Sequence, residues 1–224
     1  MKGFTGSAIV AMFLAVMPAA AAGDAGAPIL IDDFTGGLST RWEKKIFEGE
    51  TVYSPVVEEG RAAVKAESRA SASALIRRVS FDPKEYPRLT WSWKISRTIG
   101  KGDERTKAGD DYAARVYVVF PSALFWKTRA INYIWANRLP RGDFLPNAYT
   151  GNAVMVAVES GDGDAGKWIG EERNLLEDFR RAFGDDPPEA GAVAIMTDTD
   201  NTGEHAVAWY GSIRLLPPLS SERR

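Results

Sequence analysis

The sequence predicts an all-β protein, an antiparallel two-sheet β-sandwich with one inserted α-helix. Three observations lead there. Short apolar runs alternate with polar residues at period two, the signature of half-buried strands. Clusters of Gly, Pro, Asn and Asp punctuate those runs at turn spacing. Only one segment shows helical spacing, whereas a doubly wound α/β fold would need helices between most of its strands.

Ile29–Phe34 is an apolar entry strand ending in Asp32-Asp33-Phe34, followed by a Gly36-Gly37 turn and Trp42. Arg61–Ala66 and Ala72–Val79 are short strands, the first entered through the turn Glu59-Gly60. Leu89, Trp91, Trp93 and Ile95 fall on one face of the strand Leu89–Ile95, which places two indoles over a deep core. In Tyr112–Phe120 one face carries Tyr112, Ala114, Val116, Val118 and Phe120, and the other Arg115, Tyr117 and Val119. Asn152–Ser160 sets Val154, Val156 and Val158 against Met155, Ala157 and Glu159. Ala192–Met196 is uniformly apolar, as expected of a central strand covered on both faces, and Val207–Leu215 closes the pattern. The predicted helix is Ile169–Phe183. Leu175, Leu176, Phe179 and Phe183 recur on one side, Glu171 and Glu172 occupy its first turn, and Gly184 stops it before Pro187-Pro188.

The amino terminus has the layout of a secretory signal. Lys2 precedes the apolar run Ile9–Met17, and Pro18 is followed by the small residues Ala20, Ala21 and Ala22. Residues 1–22 are accordingly expected to be removed, leaving 23–224 as a single β-sandwich domain, periplasmic or secreted, with no membrane span in the mature chain. There is no cysteine, which excludes disulfides, thiolate metal sites and a lipid-anchored Cys. Beyond residue 22 the chain has 27 basic and 30 acidic residues, giving no basic footprint for nucleic acid. His205 is the single histidine, so a Ser-His-Asp triad or a His-rich metal site is not expected.

Ile195–Gly203, Ile-Met-Thr-Asp-Thr-Asp-Asn-Thr-Gly, crowds Asp198, Asp200 and Asn201 at the lip of a strand. Such oxygen density suits calcium, a sugar hydroxyl or a capped hairpin turn. The full EF-hand pattern fails because Trp209 stands where the bidentate Glu belongs. Arg115, Tyr117 and Glu159 would share a concave polar surface if their strands are neighbours, or Arg115 and Glu159 would simply pair. Phe125–Tyr149 is expected as a long connection rich in rings, with Phe125, Trp126, Tyr133, Trp135, Phe144 and Tyr149 among Arg129, Asn132, Asn137, Arg138 and Arg141. Rings stack on sugar faces and Arg or Asn side chains bond hydroxyls. The alternative is that the rings pack the connection onto the body.

Several segments together carry a family resemblance. They are Lys107–Tyr117 with its Asp110-Asp111-Tyr112, Asn132-Tyr133-Ile134-Trp135, Glu171-Glu172-Arg173-Asn174 with Asp178, and Met196–Gly203 followed by Ala208-Trp209-Tyr210. The combination resembles the bacterial family catalogued as domain of unknown function 3047. The resemblance implies membership and no particular activity. The opening Asp-Asp-Phe, the nearby Trp and the closing Trp-Tyr-x-x-Ile-Arg-Leu also resemble concanavalin-like jelly rolls, which implies paired first and last strands and a concave sheet of the sort that binds glycans.

These readings select Asp110, Asp111, Arg115, Tyr117, Asn132, Tyr133, Trp135, Glu159, Arg173 and Asn174 as candidate ligand-binding residues, and Asp198 and Asp200 as candidate calcium ligands. No other cofactor is expected. The leading function is binding of a carbohydrate or envelope polymer. An enzyme acting on polysaccharide through paired carboxylates such as Asp111 and Glu159 is the second, and a structural envelope protein is the third.

Overall fold

The computed structural model describes residues 26–219, and the expected signal segment 1–22 lies outside them. Two sheets stack over one core. The six-stranded sheet contains β1 (Ile29–Asp32), β3 (Val52–Glu58), β4 (Arg61–Arg69), β6 (Arg88–Ile95), β11 (Ile169–Asn174) and β13 (His205–Leu216). The seven-stranded sheet contains β2 (Trp42–Glu48), β5 (Ala72–Phe81), β7 (Arg115–Phe120), β8 (Arg129–Ala136), β9 (Phe144–Asn147), β10 (Thr150–Ser160) and β12 (Ala190–Asp198). The helix α1 is Leu175–Phe183. Among the described residues this is the expected β-sandwich with one α-helix.

The first sheet runs β11-β6-β13-β4-β3, with β1 paired to the far half of β13, so the first and last described strands are neighbours. The second runs β2-β5-β12-β7-β8-β10-β9. Every ladder is antiparallel except β8–β10. The chain leaves β8, crosses to the edge as β9 and turns back into β10, so β10 is inserted between them and runs parallel to β8. β12 is central, between β5 and β7, and buried along nearly its whole length.

Inward alternation builds the core. Leu89, Trp91, Trp93 and Ile95 from β6 meet Val116, Val118 and Phe120 from β7 and Ile131, Tyr133 and Trp135 from β8. The opposite face of the seven-stranded sheet is apolar as well. Ala74 and Ile76, Tyr117 and Val119, and Ala192, Ala194 and Met196 form a second buried layer there.

Two sequence expectations change. Phe125–Tyr149 is not a long connection. It contains β8 and β9, because its rings at 133 and 135 alternate with Asn132, Ile134 and Ala136 as in any buried strand. Nor is Ile169–Phe183 one helix. Its first six residues form β11 against β6, and Asn174 then caps α1, its Oδ1 accepting from the amides of Leu176 and Glu177. The acids of the first turn are Glu177 and Asp178, not Glu171 and Glu172, and Gly184 ends the helix at φ 81°, where only a residue without Cβ is unstrained.

Candidate functional site

The first polar centre lies where β12 ends. Arg115 and Asp198 are 2% and 1% exposed. The Nε of Arg115 donates to Asp198 Oδ1 at 2.8 Å, and its Nη2 also contacts Asp198 and donates to the carbonyl of Asp110 at 3.3 Å. The Tyr112 ring lies 4.3 Å from the guanidinium carbon and the Tyr117 ring 5.9 Å from it. Asp110 accepts from the Tyr112 hydroxyl at 3.0 Å and from Asn147 Nδ2 at 3.0 and 3.1 Å. Asp111 accepts from the amides of Asn201 and Thr202 and from Asn201 Nδ2, at 3.2, 2.6 and 3.1 Å. Gly109 makes the approach possible, since a Cβ there would stand 2.4 Å from the backbone nitrogen of Asp103.

Four acids thus crowd one buried cation. Burial alone would lower the Arg115 guanidinium, but Tyr117, Asp110, Tyr112 and Asp111 outweigh it and raise it. Burial raises the Asp110 carboxyl. Burial, and then the charge of Asp111, push Asp200 up to about 6. One oxygen each from Asp111, Asp198 and Asp200 lie within 4.8 Å of one another. The loop they hold crosses from one sheet to the other, since β12 and β13 belong to different sheets, so the hairpin-turn alternative is corrected. Its cap is Asp111, brought from a distant segment.

The second centre lies between the sheets, under β11. Glu171 points inward and accepts from the Trp93 indole at 3.3 Å. Glu159, on β10, comes within hydrogen-bonding reach of Glu171 and pairs with Arg141 at 3.2 Å. Burial and then the charge of Glu159 push Glu171 up to about 7, and burial raises Glu159. Beside them, Asp178 of α1 accepts from Arg173 Nε at 2.9 Å, from its Nη2 at 2.5 Å and from the Tyr133 hydroxyl at 2.9 Å. The floor is aromatic, with Trp91 against Tyr133 at 5.2 Å and Trp93 against Trp135 at 5.8 Å. Arg173 and Asn174 also line a cleft of about 350 Å³ with Arg88, Glu172, Glu177 and Asp178.

The candidate residues therefore divide. Asp110, Asp111, Arg115, Tyr117, Asp198 and Asp200 meet in the first centre. Asn132 neighbours Tyr117 across the β7–β8 ladder, with its Oδ1 buried and without a hydrogen-bond partner. Tyr133, Trp135, Glu159, Arg173 and Asn174 lie at the second. Arg115 and Glu159 do not pair, because the register shift after Ala157 sets Glu159 opposite the inward-facing Trp135. Asp111 and Glu159 share no partner, and the carboxyl facing Glu159 is Glu171. Tyr133 and Trp135 are fully buried in the core, so neither ring offers a surface for stacking.

The sequence reading placed Glu171 in a helix and did not select it, and of the rings it named it selected Tyr133 and Trp135 rather than the two that reach solvent. Phe125 and Trp126 are 38% and 56% exposed, and their rings meet nearly edge-to-face at 5.1 Å. They sit in a short turn between β7 and β8, beside a cleft of about 540 Å³ whose lining includes Ser122, Lys127, Arg129, Asn152 and Asp185. Asn152 Nδ2 donates to the Trp126 carbonyl at 2.6 Å, and Arg129 is held by Asp185 at 2.6 Å.

No curated protein matches the chain in sequence. Among solved structures it is similar to the family 30 carbohydrate-binding module of the cellulosomal cellulase Cel9D-Cel44B of Clostridium thermocellum, at 9% identity and a TM-score of 0.51, over 88% of this chain and 99% of that one. It is also similar to the xyloglucanase domain of NopAA, a type three effector from Sinorhizobium fredii, at 9% identity and a TM-score of 0.45, over 79% and 93%. At that identity the first likeness speaks for the jelly-roll sandwich and not for a ligand. The model of a protein family of unknown function, DUF3047, matches residues 40–214, and the chain belongs to that family.

Proposed function

We propose that this protein is exported and binds a carbohydrate or envelope polymer without cleaving it. The observation that carries the reading is the exposed Phe125–Trp126 pair beside a cleft of mixed polar and apolar lining. Exposed indole is costly in water, and the apolar C–H face of a sugar ring would cover it while Asn152, Ser122 and Lys127 supply bonds to hydroxyls. The cleft volume falls in the ordinary range for small-ligand sites, about 300–1,000 Å³. A glycan array on the purified protein finds the ligand. Trp126→Ala should then weaken binding about two- to tenfold, from a ring contact of about 0.5–1.5 kcal/mol, and leave the melting temperature near wild type. Failure of the wild type to retain any glycan ends this reading.

Calcium is the cation the first centre would take, an all-oxygen set suited to a hard ion. Asp111, Asp198 and Asp200 would hold it, although Arg115 and three N–H donors already engage two of these carboxylates. Calcium added to chelator-treated protein should raise the melting temperature, and Asp200→Asn should abolish that response. An unchanged melting temperature in the wild type removes the metal and leaves a capped loop. The carboxyl pair Glu159–Glu171 favours the second reading, a polysaccharide-active enzyme, more than Asp111 with Glu159 does. Release of reducing ends from a glycan that binds would establish it.

A further inference from the structure

The second centre holds a feature that glycan binding does not use. Glu159 and Glu171 are 5% and 9% exposed, belong to different sheets, and face each other within hydrogen-bonding reach. Two carboxylates cannot bond each other unless one carries a proton. We propose that a single proton held between Glu159 and Glu171 fastens edge strand β11 to the end of β10, and that its loss loosens this side of the sandwich.

The surroundings explain why the proton stays. Arg141, from the segment joining β8 to β9, is the cation paired with Glu159, and its side chain is largely exposed. Arg173, on β11 itself, is engaged by Asp178 of α1, which also takes the Tyr133 hydroxyl of β8. Asp164, from the segment after β10, adds a like charge near Glu159. β6 contributes the Trp93 indole, a single neutral donor to Glu171. One exposed arginine therefore faces two buried acids and a third acid nearby, so releasing the proton leaves like charges in a poorly solvated place.

Titration supports the geometry. Glu171 is pushed up to about 7 from an ordinary 4.5. A folded-state value above the unfolded one means that the folded protein keeps a proton the unfolded chain has released. The stabilisation is complete below about pH 4.5, is lost as pH rises towards about 7, and is absent above that.

The test compares wild type with Glu171→Gln, whose amide donates to Glu159 at every pH. Melting temperatures are measured from about pH 5 to about pH 8. The variant should gain on wild type as pH rises towards about 7 and level off above it. A difference that stays constant with pH overturns the proposal. A second measurement needs no comparison of stabilities. With glutamate carboxyls labelled with carbon-13, one resonance of the wild type should titrate near pH 7. It should vanish in Glu171→Gln and move to lower pH in Glu159→Gln, where the like charge is gone. Absence of any glutamate titrating near neutral pH overturns the proposal equally.

Discussion

The centre around Arg115 and the centre around Glu171 are both buried clusters of acids, yet they are furnished with donors in very different numbers. In the first, a buried guanidinium, two backbone amides and the Asn147 and Asn201 amides are aimed at Asp110, Asp111 and Asp198. Donors are dense there, and each of these three carboxylates accepts at least one, while Asp200 beside them is pushed up to about 6 by burial and then by the charge of Asp111. In the second, Glu159 and Glu171 share one exposed arginine and one indole. Too few donors are available, so the pair keeps a proton instead. The lesson is that the buried acids short of aimed donors, Asp200 in one centre and Glu171 in the other, are the ones pushed up to about 6 and about 7. The first centre holds loops together through those donors, and the second joins the two sheets through a shared proton.

The largest expected effect comes from removing the hub of the first centre. Arg115→Leu strands Asp198 and Asp110 without their cation and should cost about 3–5 kcal/mol in urea unfolding. A loss below about 1 kcal/mol would mean that the acids there are neutral, and would erase the contrast between the centres. A smaller effect is expected at the second. Tyr133→Phe deletes one hydroxyl from Asp178 but leaves both Arg173 bonds, so the cost should be about 1–2 kcal/mol, with the aromatic packing on Trp91 intact. The near-ultraviolet circular dichroism of the variant should keep its wild-type shape. A lost aromatic signature would show instead that the hydroxyl organises the whole floor.

Much of the architecture was legible because it rests on local pattern. Period-two alternation places Trp91, Trp93, Val116 and Val118 inward wherever the strand lies, and Ala192–Met196 reads as central because it carries no polar side chain. The strands missed were those whose pattern is ambiguous. β2 is mostly exposed, β3 carries Pro55 in its middle, β9 is four residues long, and β8 mixes rings with Asn and Ala in a way that also suits a loop. β11 was absorbed into the helix that follows it because Glu171 and Glu172 look like first-turn acids. Only pairing with β6, a contact far away in sequence, makes that segment extended.

For the sites, the sequence determined which residues carry chemistry, and the tertiary structure decided which of them meet. The Asp198–Asn201 segment stands out by density of oxygen and Asp110-Asp111 by the family resemblance, and they do converge. Their joining at Arg115 required β7 and β12 to be neighbours, which no local pattern contains. Trp126 and Trp135 are chemically identical and nine residues apart, yet one is exposed and the other buried. Glu159 faces Glu171 because a register shift on β10 turns it towards the opposite sheet. Exposure and partnership are properties of long-range packing: they depend on the energy of many distant contacts, and a residue's type limits them without choosing among them.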